Sequence, residues 1–171
     1  MRCSLLFCCT IVLTIAGIAM AQVPMEQEPH HHLVFENAVL RVLEPTIKPG
    51  ETTLEHLHSH DSASVCISGS HMRSQRPGTN WTDPGQACNL GDVNVTEYTG
   101  KPSSHTVQNA GTEVFRLLDV ENMTESGWST DLPLPAEATV LVKETRAFQI
   151  FEIKLDRKVS RPAIFITNPP S

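Results

Sequence analysis

The chain has 171 residues, with 13 Lys and Arg against 19 Asp and Glu, a formal net charge of −6 at pH 7. That length suits one domain with a proper core and hardly two. The acidic balance argues against nucleic acid and anionic membrane surfaces as partners.

The opening "MRCSLLFCCTIVLTIAGIAMAQ" carries Arg2, an apolar run from Leu5 to Met20, and Ala19-Met20-Ala21 ahead of Gln22. This is the pattern of a secretory signal peptide over residues 1–21, cleaved after Ala21. It predicts a secreted or periplasmic protein, with no stable membrane association once the leader is gone. As a retained anchor the run is only marginally long enough, and no other segment is a candidate span. Cys3, Cys8 and Cys9 leave with the leader, so Cys66 and Cys88 remain. In an exported protein these two can form one disulfide; equally, Cys66 in "SVCISG" can be a small core residue. Asn80, Asn94 and Asn122 begin N-x-S/T sequons, which matter only in a eukaryotic source.

Beyond the leader, helical periodicity is absent and β-branched residues collect in short runs. "EQEPHHH" reads as a polar N-terminal arm over 22–33, with His30, His31 and His32 solvated. "LVFEN" and "AVLRVLEPTIK" look like the first strands, with Val39, Val42, Leu43 and Ile47 as core candidates, and "KPGE" as a turn. "TTLEHLHSH", "ASVCISGSHMRS", "ACNLGDVNVTEY" and "HTVQNAGTEVFRLLDVEN" follow as further strand regions. Between the second and third lies the loop "QRPGTNWTDPGQ", where Trp81 is expected to pack the loop down. Strands about every 8 to 12 residues predict an all-β sandwich or barrel over 34–125.

Residues 126–171 read as a linker, Pro-rich in "STDLPLPAE", and a β tail. "ENAVLRVLEPTIKPGET" from Glu36 lies over "ETRAFQIFEIKLDRKVS" from Glu144 without gaps, matching Leu40, Val42, Leu43 and Ile47 to Phe148, Ile150, Phe151 and Leu155. "ASVCISG" similarly resembles "PAIFITN". The tail is either a truncated second repeat or a chance likeness between amphipathic strand pairs. It contains no histidine, so it carries no site of the kind described next.

The chemistry lies in "LEHLHSH". On a strand, His56, His58 and His60 share one face, and imidazoles suit Zn, Fe, Ni or Mn. His105 in "SSHTVQNAG" offers a further ligand from elsewhere in the chain. The order Pro49-Gly50, His56-x-His58, Gly69, then Gly91-Asp92, His105 and Asn109 resembles the two motifs of the cupin superfamily. That resemblance, covering roughly Val34 to Val120, implies an RmlC-like double-stranded jelly-roll β-barrel with a short extra β segment at its C-terminus. It also implies a divalent metal on His56, His58 and His105, and a pocket lined by Val65, Ile67, Val107, Phe115 and Leu117. Asp92 is expected to serve its turn, His71 to lie on the surface, and the protein to form a homodimer by strand exchange.

Two departures stand out. Ser62 occupies the motif's glutamate position, and the spacing from Gly91 to His105 is longer than usual. His60 or Asp61 is adjacent and offers a replacement donor. A three-histidine site with an open position can polarise a substrate oxygen or acidify water. The expected function is therefore a metal-dependent enzyme acting on a small oxygenated molecule, with Glu97, Glu113 and His60 as acid–base candidates. The alternative is a non-catalytic module binding a small ligand or the metal itself. The sequence has no Ser-x-Gly elbow, phosphate loop, dinucleotide fingerprint or Cys-x-x-Cys.

Overall fold

The computed structural model describes residues 22–124 and 139–153. In chain order the strands are β1 (Val23–Pro24), β2 (His31–Glu36), β3 (Leu40–Ile47), β4 (His56–His58), β5 (Ser62–Ser68) and β6 (Met72–Gln75). Then come β7 (Val93–Thr96), β8 (Ser103–Asn109), β9 (Phe115–Asn122), β10 (Thr139–Glu144) and β11 (Gln149–Ile153). A single 3-10 turn, Met25–Gln27, is the only helical element among the described residues.

One sheet has the order β2-β3-β9-β5-β7 and another β1-β4-β8-β6. From β3 to β9 each successive strand passes from one sheet to the other. The chain therefore winds as a double-stranded β-helix, the jelly-roll arrangement expected from the sequence, with the two sheets as separate hydrogen-bonded ladders rather than a closed cylinder. Strand β3 shows how the sequence sets the faces. Arg41, Leu43, Pro45 and Ile47 are buried, while Val42, Glu44 and Thr46 alternate with them on the less buried side. Pro45 has no N–H to give, and it falls where the ladder to β9 breaks off between Leu43↔Asp119 and Thr46↔Arg116.

Residues 22–33 differ from the solvated arm expected of them. Val23 and Pro24 pair in parallel with β4, Val23 opposite His56, and the Val23 amide donates to Glu55 (3.0 Å). The chain then crosses to the other sheet as β2, antiparallel to β3. Met25 and Glu28 are each 1% exposed, and His31 is buried. An apolar side chain filling the interior and a carboxylate satisfying donors of His30, His31 and Leu54 outweigh the polar look of the run.

Cys66 and Cys88 form a disulfide across a separation of 22 residues. Gly69 is required beside it, because a Cβ there would come within 1.9 Å of the Cys88 carbonyl oxygen. Closing a loop of this length is worth about 3 kcal/mol, chiefly by restricting the unfolded chain. The Cys66→Ser/Cys88→Ser double variant should lose about that much in denaturant unfolding. Unchanged stability would mean the bridge does not constrain the chain.

The loop between β6 and β7 is tied down as expected, with the Arg73 guanidinium 5.0 Å from the centre of the Trp81 ring. Strands β10 and β11 form an antiparallel hairpin. It meets the barrel through Arg146 and Asp61 (2.7 Å) and through the Asn122 side chain and Ala147 carbonyl (3.3 Å). The shift that lays Glu144 over Glu36 also lays β10 over β2 end to end, and both strands open an antiparallel hairpin. The "PAIFITN" half of the internal likeness lies outside the described residues. Strand β2 is a sheet edge, and its Leu33, Val34 and Phe35 are each more than half exposed.

Candidate metal centre

Strand β4 is only three residues long, and its two histidines, His56 and His58, are both buried. The antiparallel register with β8 sets His105 directly opposite His56. The rings lie 5.0 Å (His56–His58), 4.7 Å (His56–His105) and 4.9 Å (His58–His105) apart between centres. One ring nitrogen from each lies within 4.8 Å of the others, and His58 Nε2 is 3.2 Å from His105 Nε2. Three neutral imidazoles converging this closely make a donor set suited to a borderline divalent ion.

The electrostatics favour that neutral state. Burial is the largest influence on all three, bringing His56 and His105 to about 4 and His58 to about 2. The neighbouring imidazoles add to the effect. At neutral pH the rings are unprotonated, as ligands must be. His56 Nδ1 donates to the Leu54 carbonyl (2.9 Å), which fixes the tautomer and leaves Nε2 with its lone pair. His58 Nδ1 is buried without a hydrogen-bond partner, and the Tyr98 ring stacks on His58 at 4.8 Å.

The structure does not bring His60 or Asp61 into this group. Strand β4 ends at His58 and the chain bends through Ser59 and His60, so the alternation that would have aligned His60 is lost. His60 contacts Ser59 and lies 3.9 Å from Glu121 instead. Asp61 is buried, but its oxygens accept the Tyr98 and Thr99 amides (2.7 Å each) and the Arg146 guanidinium. Ser62 is buried and hydrogen-bonds Asp119.

Asn109 is fully buried and serves the scaffold. Its amide donates to the Ile47 and Glu113 carbonyls, and its oxygen accepts from Ser70 and the Gly111 amide. Asp92 accepts from Asn89 in its turn, and His71 lies on the surface. Glu97 and Glu113 are exposed and stand outside the three-histidine group. Among the expected pocket residues, Leu117 pairs with Cys66 and Phe115 with Ile47, on the buried face. Val65 pairs with Leu118 and lies on the other face, because side chains alternate and Cys66 takes the inward position.

Four interior residues escaped the sequence reading. Glu28 and His31 sit in a run that looks polar and solvated. Tyr98, the only tyrosine in the chain, carried no motif. Asp119 did leave a signal, an acid interrupting the apolar "FRLLDV". It is 6% exposed, Oδ1 has no partner, and burial followed by repulsion from Glu121 raises it to about 7.

No family model and no curated protein matches the sequence. Among solved structures, the chain is similar to a cupin domain from Bordetella pertussis at 18% identity, covering 61% of this chain and 99% of that one, with a TM-score of 0.47. A double-stranded β-helix protein from Klebsiella pneumoniae is similar at 22% identity over 62% and 86% of the two chains, with a TM-score of 0.42. An RmlC-like cupin family protein from Methanocaldococcus jannaschii follows at 11% identity over 64% and 86%, with a TM-score of 0.41. By its own strand order, and by the histidines and asparagine that β4 and β8 carry, the chain has the fold of the cupin superfamily.

Proposed function

We propose that the mature chain is an exported protein that binds one divalent metal ion through His56, His58 and His105 and acts with it on a small oxygenated molecule. The observation that carries this reading is the convergence of three imidazole nitrogens within 4.8 Å of one another, from buried His56 and His58 on β4 and half-buried His105 opposite His56 on β8. A metal bound there supplies Lewis-acid polarisation of a ligand oxygen. The chain's own part is to hold the imidazoles neutral and, through the Leu54 carbonyl, to orient His56. Export is supported by the leader pattern and by the Cys66–Cys88 bridge, which suits an oxidising compartment. A non-catalytic binding module is favoured by one observation: none of Glu97, Glu113 and His60, the expected acid–base groups, joins the histidines.

The test is elemental analysis of tag-free protein beside the His56→Ala/His58→Ala variant, with Ni, Zn or Mn added to metal-free samples. Native protein should carry near-stoichiometric metal that the variant lacks. At a metal concentration about 1,000 times Kd, it should gain about 4 kcal/mol of stability. No metal and no shift in Tm would end the proposal. If metal binds, His58→Ala decides between the readings: it abolishes turnover in an enzyme and alters only affinity in a binding module.

A further inference from the structure

We infer that Glu28, on the N-terminal segment, is a positioning residue of the metal centre, fixing the ring of His56 through Leu54 and His31. The inference rests on the metal-binding reading above. Glu28 lies between the 3-10 turn and β2, and its side chain is fully buried. It accepts four hydrogen bonds: from the His30 amide (2.8 Å), His30 Nδ1 (2.9 Å), His31 Nδ1 (2.7 Å) and the Leu54 amide (3.1 Å). Two carboxylate oxygens offer about four acceptor sites, so this one is saturated. A charge held inside a fold survives only when it is satisfied in this way.

Two routes lead from Glu28 to His56. The first runs through Leu54, whose amide is held by Glu28 and whose carbonyl takes His56 Nδ1–H at 2.9 Å. Holding residue 54 holds the acceptor that sets the His56 tautomer and presents Nε2. The second runs through His31. With Nδ1 tied to Glu28, its ring packs against His56 at 4.7 Å between centres, tilted by 54°. That contact opposes rotation of the His56 ring. Hydrogen-bonded groups that orient a ligating histidine in this manner commonly control metal affinity without touching the metal.

The experiment compares Co(II) binding to metal-free wild type, Glu28→Gln and His31→Asn at neutral pH. It reads Kd, the visible ligand-field band and the Tm of the metal-free protein. Glutamine keeps the size of Glu28 but turns one acceptor into a donor, which opposes the donors now bound there. Expected are a Kd weakened by about 10- to 100-fold and a shifted Co(II) band. A lower Tm with Kd and band unchanged would show a merely structural role and overturn the inference. If Glu28→Gln does not fold, His31→Asn decides. Its side-chain amide can still donate to Glu28 but lacks the ring, so weakened Co(II) binding supports the inference and wild-type binding overturns it. Failure of wild type itself to bind Co(II) would remove the metal centre and this role together. Tight wild-type binding, indifferent to both substitutions, would remove this role alone.

Discussion

Arg41→Met is expected to destabilise the protein by about 3 to 5 kcal/mol, because it leaves Glu121 as an unpaired charge in the interior. Arg41 Nη1 lies 2.9 Å from Glu121, and the side chains are 9% and 2% exposed. The same guanidinium meets Glu26 at 3.2 Å and Glu36 at 3.1 Å, so its loss exposes three carboxylates to one another. Burial already pushes Glu121 up, and Arg41 is the main group pulling it back. Glu26 adds a like charge that pushes Glu121 the same way. Urea unfolding of Arg41→Met, Glu121→Gln and the double variant reads the effect. The double variant should recover most of the loss, since it leaves no stranded charge. A loss below about 1 kcal/mol in Arg41→Met would place the pair among solvated surface ion pairs.

Asp119→Asn should have the opposite effect, growing as pH rises from about 4 to about 7. Burial, then repulsion from Glu121, raises Asp119 from 3.8 to about 7. The folded state therefore holds its proton more tightly than the unfolded chain does, and stability is lost as pH rises from about 4 through about 7. The difference between 3.8 and about 7 corresponds to about 4 kcal/mol, which the amide does not lose. The histidines of the metal-free protein have the other sign. His56 and His105 at about 4 and His58 at about 2, against 6.5 when unperturbed, cost stability as pH falls below 6.5. Glu28, where burial is outweighed by the hydrogen bonds from His31, His30 and Leu54, is held at about 2 and adds to that loss below 4.5. Three histidines outweigh one aspartate, so the native protein should grow more stable from pH 4 to 6.5. Unfolding at pH 5 and at pH 8 should show the advantage of Asp119→Asn growing with pH. An advantage equal at both would mean that Asp119 does not titrate in that window.

Legibility in the sequence followed the range of the interactions involved. His56 and His58 were visible because a strand with period two places them together without help from the rest of the chain. His105 was visible because it stands before a strand in a motif whose asparagine, Asn109, does serve the scaffold. His60 obeyed the same periodicity, but β4 stops at His58, and nothing local announces the bend. His31 shows the converse. Three consecutive histidines look like a solvated tract, and only the crossing from β1 to β2, with Glu28 in the corner, buries the middle one. Asp119 and Glu121 sit at inward parity on β9, yet whether such acids are buried depends on Arg41 and Ser62, on other strands. The pairing of Cys66 with Cys88 likewise depended on loop geometry that composition does not fix.

Val23 stands opposite His56 in the parallel pairing of β1 with β4. Whatever is joined ahead of Val23 during expression is therefore delivered to the neighbourhood of the three histidines. A polyhistidine purification handle placed there would set competing imidazoles beside the native ones, and metal recovered with such a sample would not report on His56, His58 and His105. Immobilisation through the N-terminus would likewise constrain the strand that leads into Glu28.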